Sequence, residues 1–74
     1  MRVTYDAEAN AAYIQLPDEI KPGEVARTYP CDPSAAGGMI NLNFDAGGVL
    51  IGIEIIGARR LVPASVLEHA DRLD

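Results

Sequence analysis

Four carboxylates of this 74-residue chain are the groups best suited to shared chemistry: Asp6, Glu8, Asp45 and Glu54. General acid–base catalysis, or the binding of a hard cation, needs two or more oxygens that converge within a few ångströms. The spacing of these residues does not predict such convergence. Asp6 and Asp45 stand at two predicted turns, where aspartate accepts hydrogen bonds from nearby backbone N–H groups. We therefore predict turn roles for both, with no catalytic residue and no metal site.

Glu54 differs from the other carboxylates because it lies in the most apolar run of the chain, residues 49–56. An ionised carboxylate among apolar residues costs several kcal/mol unless it is paired or reaches water. Two interpretations remain open. Glu54 forms an ion pair across a sheet with Arg2, Arg27 or Arg59, or it contacts a ligand or a second subunit.

Cys31 and His69 are the remaining candidates for nucleophilic or metal chemistry, and the chain has one of each residue type. A Cys–His pair requires the two side chains to meet, and nothing in their spacing predicts that they do. A single cysteine cannot form a disulfide within the chain, so the sequence gives no sign of an oxidising compartment. We predict a cytoplasmic protein without a cofactor.

The charge balance bears on the choice of partner. Eleven acidic residues against six basic ones give a net charge of −5, which repels phosphate backbones and anionic lipid headgroups. The best basic patch is the pair Arg59 and Arg60, which is typical of residues that flank the end of a strand. The longest apolar stretch is interrupted by Gly52, Glu54 and Gly57 and is too short to span a bilayer. We therefore predict no nucleic-acid partner and no membrane partner.

Alternation of apolar and polar residues predicts the strands that position these groups. The predicted strands cover residues 2–5, 12–16, 24–29, 39–45 and 49–56, with turns at 6–10 and 45–48 that form two hairpins. The run 24–29 carries an arginine on its apolar face, which is typical of an edge strand. After Gly57 the spacing changes to that of a helix, with Val66, Leu67, Ala70 and Leu73 on one face and Pro63 in the first turn. We predict a single α+β domain over residues 1–74, an antiparallel sheet of four to five strands with a C-terminal helix.

The strand phases also predict what the two faces of the sheet carry. Polar and aromatic side chains share the face away from the core: Thr4, Tyr13, Gln15, Asn41 and Asn43. This surface either binds a sugar or peptide or is simply solvated. Leu50 and Ile56 lie on the reverse side of the last strand beside Glu54 and need cover. A homo-oligomer, most simply a dimer, supplies it.

Three segments of the chain together resemble a known family: Val3-Thr4-Tyr5-Asp6, Ala9-Asn10-Ala11-Ala12-Tyr13-Ile14, and the run of residues 48–58 around Gly52-Ile53-Glu54-Ile55. They resemble the YuzE-like family of small bacterial proteins, a domain of unknown function, over most of residues 2–61. Asn10 stands where members of that family more often have aspartate. The resemblance implies the fold and leaves the activity open. An association of some members with small toxin-like neighbours implies an antitoxin or regulatory role.

Two functional hypotheses follow from these observations. The first is a non-catalytic protein-interaction or regulatory module that acts as a homo-oligomer, with a small protein as a possible further partner. It rests on the absence of a nucleophile with a base, of metal-ligand spacing and of a phosphate-binding glycine loop. The second is a small enzyme or small-ligand binder whose site forms at a subunit interface, where Glu54, Tyr13 or Asp6 from two copies converge.

Overall fold

The computed structural model describes residues 1–31 and 37–74. Their elements, in chain order, are β1 (Arg2–Asp6), β2 (Ala11–Gln15), β3 (Arg27–Pro30), β4 (Met39–Phe44), β5 (Leu50–Ile56), α1 (Ala58–Leu61), α2 (Ala64–His69) and β6 (Asp71–Arg72). The small-residue connection predicted between the third and fourth strands lies largely outside the described residues.

The strands form one mixed sheet in the order β3-β4-β5-β2-β1-β6. Neighbouring strands are antiparallel except for β6, which pairs in parallel with β1. The two predicted hairpins, β1–β2 and β4–β5, are confirmed. The prediction of a purely antiparallel sheet of four to five strands is wrong, because the chain returns after α2 and adds a sixth strand. A strand of only two residues has no periodicity from which it could be predicted.

The core lies on one face of the sheet, where strand and helix residues meet. Its buried residues are Tyr5, Ala12, Ile55, Ala58 and Val62. Partly buried residues surround them: Ala7, Ile14, Ile40, Ile53, Leu61, Leu67 and Ala70. Since both helices contribute to this cluster, they cover the same face of the sheet. The alternation along β1, β2 and β5 therefore places the other residues of each strand on the opposite face.

The C-terminal segment departs from the single helix that its spacing predicts. Helix α2 ends at His69, and Ala70 already has extended backbone angles, with φ −73° and ψ 153°. The N–H of Leu73 then donates to the carbonyl oxygen of Tyr5 at 3.0 Å. Leu73 consequently lies beyond the helix, and the predicted helical face that included it is wrong. The outer edge of β1 offers unpaired backbone groups, and the segment gains hydrogen bonds by extending along it.

Asn10 joins the first turn to the start of α1. Its φ of 52° is the left-handed value that asparagine tolerates better than most residues. Its carbonyl oxygen accepts the N–H groups of Gly57 and Ala58 at 2.9 and 3.0 Å, and its Oδ1 accepts the N–H of Arg59 at 2.9 Å. Gly57 precedes α1 with a φ of 87°. Asn10 thus supplies the hydrogen-bond acceptors that the first helical turn lacks within itself.

Strand β3 forms one edge of the sheet, as predicted, although it is shorter than the predicted run. All four of its residues are exposed. It pairs with β4 along one side only. Pro30 ends it with a residue that has no backbone N–H to offer, which makes this edge less suited to pairing with another strand.

Candidate interaction surface

The sheet face opposite the core is here called the open face. The strand register assigns to it Arg2, Thr4, Asp6, Ala11, Tyr13, Gln15, Thr28, Pro30, Met39, Asn41, Asn43, Gly52, Glu54 and Ile56. Both helices lie on the other face. The predicted grouping of the polar residues among them on one face is confirmed. The face crosses the central strands β1, β2, β5 and β4.

Tyr13 lies flat on the open face, with its ring tip directly over Gly52. A methyl group at position 52 would overlap the tyrosine hydroxyl oxygen, so only glycine leaves room for this placement. The Asn43 Nδ2 donates to the Tyr13 hydroxyl oxygen at 2.9 Å, and the Thr28 hydroxyl donates to the Asn43 Oδ1 at 3.1 Å. These bonds connect strands β2, β4 and β3 across the glycine. The polar side chains are therefore held in fixed positions within the single chain.

Glu54 is held by a neutral partner. The Asn41 Nδ2 donates to the Glu54 Oε1 at 2.9 Å, and the two residues are directly opposite in the β4–β5 register. Glu54 is also directly opposite Tyr13 on its other side. The structure therefore brings together two of the predicted site residues, Glu54 and Tyr13.

Of the two interpretations of Glu54, the ion pair with Arg2, Arg27 or Arg59 is wrong for the described residues, where none of the three arginines pairs with Glu54. Arg2 pairs with Asp71 instead, with Nε and Oδ2 2.8 Å apart. Arg59 is directed toward the first hairpin, where its Nη1 donates to the Ala7 carbonyl oxygen at 3.1 Å. An asparagine on the adjacent strand reaches the carboxylate without spanning a further strand. That partner could not be predicted before the strand register was known.

A short apolar row borders the polar part of the open face. Ala11, Ile56 and Met39 stand side by side in the register of β2, β5 and β4. Ile56 is 42% exposed and Met39 40% exposed, so two large apolar side chains on adjacent strands form one exposed patch. The predicted exposure of Ile56 is thus confirmed, and Met39 extends the apolar surface to the next strand.

Leu50 does not belong to the same surface as Ile56. The β4–β5 pairing is irregular near Phe44, so that Asn43 is opposite Gly52 whereas Phe44 is opposite Leu50. One extra residue of β5 is accommodated there, and such a bulge interrupts strict alternation. Leu50 is therefore aligned with Phe44, which alternates with the open-face residue Asn43. The prediction that Leu50 and Ile56 together surround Glu54 is wrong for this reason.

Asp6 and Asp45 have the turn roles that the sequence predicts. The Asp6 Oδ1 accepts backbone N–H groups two and three residues further along, at 3.0 and 3.2 Å. The Asp45 Oδ1 accepts those two and four residues further along, at 2.9 and 3.0 Å. Neither carboxylate hydrogen-bonds to Tyr13 or Glu54. Both stabilise hairpin turns.

The remaining candidates for site chemistry lie apart from the open face. His69 is exposed at the end of α2, with Nδ1 2.7 Å from the Ser65 carbonyl oxygen. Cys31 is partly buried at the end of β3, where its N–H donates to the Ile40 carbonyl oxygen at 2.8 Å. Within residues 1–31 and 37–74, no three His, Cys, Asp or Glu side chains are grouped so that they could hold a metal ion.

A polar cluster at the C-terminal segment has no counterpart in the sequence patterns. The Arg72 guanidinium carbon lies 5.5 Å from the centre of the Tyr5 ring. Arg72 also donates from Nε and Nη2 to the two carboxyl oxygens of Asp74, at 2.9 and 2.8 Å. These side-chain hydrogen bonds lower the pKa of Asp74 well below its usual range and raise the pKa of Arg72. The cluster helps to hold the segment against β1.

None of the helices in the described part of the chain has the length and apolar character needed to cross a membrane.

The fold and the open face define a small β-rich domain, with a helical layer on one side of a mixed sheet and exposed strand residues on the other. A model of protein family DUF2283, whose function is unknown, matches residues 2–59. The chain therefore belongs to this family. The match includes β1 to β5 and the whole open face, and it ends before α2 and β6. No curated protein and no solved structure matches the chain.

Proposed function

We propose that this protein is a non-catalytic protein-interaction module that acts as a homo-oligomer, most simply a dimer, through its open face. The observation that carries the proposal is the row of Ala11, Ile56 and Met39, beside polar groups already fixed by hydrogen bonds. Burial of the two large side chains is favourable at about 25 cal/mol per Å² of apolar area. The fixed polar side chains lose little rotamer freedom on contact, so they add little to the cost of association.

The size of the sheet fits this role. The two longer dimensions of the chain are 32 and 27 Å, which bound a face large enough for the roughly 800 Å² per partner of a standard protein interface. A chain of this length also buries only about 60% of its unfolded surface when it folds alone. Association through the open face therefore adds stability to a domain with a small core.

The test is the mass in solution, measured by light scattering at micromolar concentration. We expect at least twice the 7.9 kDa of one chain, and we expect Ile56→Asp to lower this mass. Val49→Asp is the matched control, because Val49 is 59% exposed in the β4–β5 turn and lies outside the open face. A wild-type mass of one chain at all concentrations, or an equal effect of the two substitutions, contradicts the proposal.

The resemblance to the YuzE-like family supports a finer form of this proposal. In that form the chain is a bacterial, cytoplasmic regulatory protein that acts as an antitoxin for a small protein toxin. This rests on the resemblance alone. Binding of one equivalent of a toxin-like protein encoded beside the chain, measured by calorimetry and abolished by Ile56→Asp, is the expected result. Unchanged binding by that variant contradicts the open face as the contact.

One arrangement favours a second candidate, a small-ligand site or small active site at the subunit interface. Glu54 and Tyr13 are directly opposite on neighbouring strands, and Asn41 occupies one carboxyl oxygen of Glu54. Two copies packed face to face bring two such pairs near one another. Native mass spectrometry of the dimer tests for a bound small molecule, which Glu54→Gln should release while the dimer persists. Retention of the molecule by that variant contradicts this candidate.

A further inference from the structure

The outer edge of β1 is covered over only part of its length. On its inner side β1 pairs with β2 over five residues, whereas β6 pairs only with Thr4 and Tyr5. The N–H of Leu73 donates to the Tyr5 carbonyl oxygen, so the backbone groups of Tyr5 point to this outer edge. Because backbone groups alternate along a strand, those of Val3 point the same way.

The sequence of β1, Arg-Val-Thr-Tyr-Asp, is complementary to itself in antiparallel pairing. When Thr4 of one chain is opposite Thr4 of another, Arg2 is opposite Asp6 and Val3 is opposite Tyr5, each of them twice. The Val3 and Tyr5 groups are those that point outward, so each such pair exchanges both of its backbone hydrogen bonds. Opposite charges directly across an antiparallel pair are favourable. Centring the pairing on Val3 or Tyr5 instead separates Arg2 from Asp6.

We propose that β1 is a homodimerisation edge, which pairs antiparallel with β1 of a second copy about Thr4, and that β6 covers this edge in the single chain. The charge pattern of β1 selects a second copy as the occupant. In the single chain Arg2 forms an ion pair with Asp71. In the proposed dimer Arg2 pairs instead with Asp6 of the second copy. The two sheets then form one continuous sheet, and the helices of both copies lie on the same side of it.

The cover is held weakly enough to be displaced. Both residues of β6 are exposed, and the side chains of Arg2 and Asp71 are 55% and 61% exposed, a setting in which an ion pair contributes little. No residue of α2 is buried. An open groove of about 560 Å³ separates the start of β1 from α2, lined by residues that include Val3, Val66 and His69. The family match includes all of β1 and excludes β6.

This edge contact is distinct from the contact proposed for the open face, because it uses the backbone of β1, whereas the open-face contact uses the side chains of Ala11, Ile56 and Met39. Cross-linking distinguishes them. Two Thr4 residues that are opposite in a non-hydrogen-bonded pair have Cα atoms about 4.5 Å apart, within the range of a disulfide. Val49 lies in the β4–β5 turn, and β2 separates both of those strands from β1, so two Val49 residues of an edge dimer lie beyond that range.

The first experiment uses the full chain with Cys31→Ser and Ile56→Asp, so that neither the native thiol nor the open face contributes. We expect Thr4→Cys in this background to give a disulfide-linked dimer on mild oxidation, at least ten times more than the matched Val49→Cys chain, which keeps every residue of β1. Equal yields at the two positions, or no dimer at either, overturn the edge proposal. The second outcome leaves the open-face proposal intact if Ile56→Asp alone has reduced the mass.

A second experiment tests the charges and the cover by light scattering. In the Ile56→Asp background, chains with Arg2→Glu and chains with Asp6→Lys should each form no edge dimer and should form a one-to-one heterodimer when mixed. Leu73→Pro removes the N–H that donates to Tyr5, and we expect it to lower the dissociation constant of the edge dimer at least ten-fold. A mixture that stays monomeric, with both chains folded by circular dichroism, or a Leu73→Pro chain with unchanged affinity, overturns the proposal.

Discussion

Replacement of Gly52 by alanine should force Tyr13 off the sheet. The new methyl group would occupy the position of the tyrosine hydroxyl and the adjoining ring atoms. The backbone of β5 is fixed by β2 and β4 on either side, whereas Tyr13 can change its rotamer. We therefore expect the ring to swing into solvent and the hydrogen bond from Asn43 to be lost, while the strand pairing survives.

The cost can be estimated from the contacts that Tyr13 gives up. The hydrogen bond from Asn43 contributes about 1 kcal/mol, and lifting roughly 50 Å² of ring surface from the sheet costs about 1.3 kcal/mol. Alanine in place of glycine within a strand raises the free energy of unfolding by about 0.5 to 1 kcal/mol, which offsets part of this loss. We expect Gly52→Ala to lower the free energy of unfolding by about 1.5 kcal/mol, measured by urea denaturation at 25 °C. For a domain of this size that corresponds to a decrease in Tm of about 6 to 12 °C.

A double-mutant cycle with Tyr13→Ala decides whether the reasoning is correct. When Tyr13 is already absent, nothing opposes the methyl group, and Gly52→Ala should stabilise the protein by about 0.5 to 1 kcal/mol. The change in the free energy of unfolding caused by Gly52→Ala thus has opposite signs in the two backgrounds, and the coupling energy between the two positions is about 2 kcal/mol. Tyr13→Phe, which keeps the ring and removes the hydroxyl, separates the hydrogen bond from the ring contact. An equal loss from Gly52→Ala in both backgrounds would refute the assigned clash.

Three further predictions concern the turns and the C-terminal cluster. Asn10→Ala should lower the free energy of unfolding by about 2 kcal/mol in urea, because it removes the acceptor for the Arg59 N–H and because alanine tolerates a positive φ less well than asparagine does. Asn10→Gly, which relieves the backbone strain, should cost about half as much, and an equal cost would contradict the contribution of strain. Asp45→Ala should cost about 1 to 2 kcal/mol in the same assay through loss of two backbone hydrogen bonds, whereas Asp45→Asn should retain most of the stability. The ion pair of Asp74 with Arg72 stabilises the fold fully above pH 3.8, the ordinary pKa of Asp74, and this stability is lost as the pH falls toward the lowered pKa of the folded state. Asp74→Asn should therefore flatten the pH dependence of the urea midpoint below about pH 4. An unchanged slope would contradict this role of Asp74.

The parts of the fold that were predictable are those with a long alternating pattern. The hairpins β1–β2 and β4–β5 follow from period-two alternation and from turn residues such as Asp45. The C-terminal segment was not predictable in the same way. Val66, Leu67, Ala70 and Leu73 have helical spacing, yet the last two lie beyond α2. The competing structure is a pairing with a distant strand edge, which a local pattern does not encode.

The open face was predictable in its composition and unpredictable in its contacts. Strand phase alone placed Tyr13 and Asn43 on one side of the sheet. Their hydrogen bond depends on the order of strands and on the glycine between them, which are properties of the assembled sheet. The same applies to Glu54, for which charge suggested an arginine, whereas the register supplied Asn41. Leu50 was misplaced because a bulge leaves no mark in the hydrophobic pattern.

The three hydrogen bonds that Asn10 accepts from the start of α1 have a consequence for the order in which the protein forms. Arg59 is 49 residues further along the chain, so at the usual rate of synthesis it is added roughly 2 to 10 s after Asn10. During that interval the first turn lacks the donors that hold its left-handed residue in place. Such long-range closure slows folding. The N-terminal hairpin of a nascent chain therefore lacks these three hydrogen bonds until the first residues of α1 have been made, although its own residues are among the first to be synthesised.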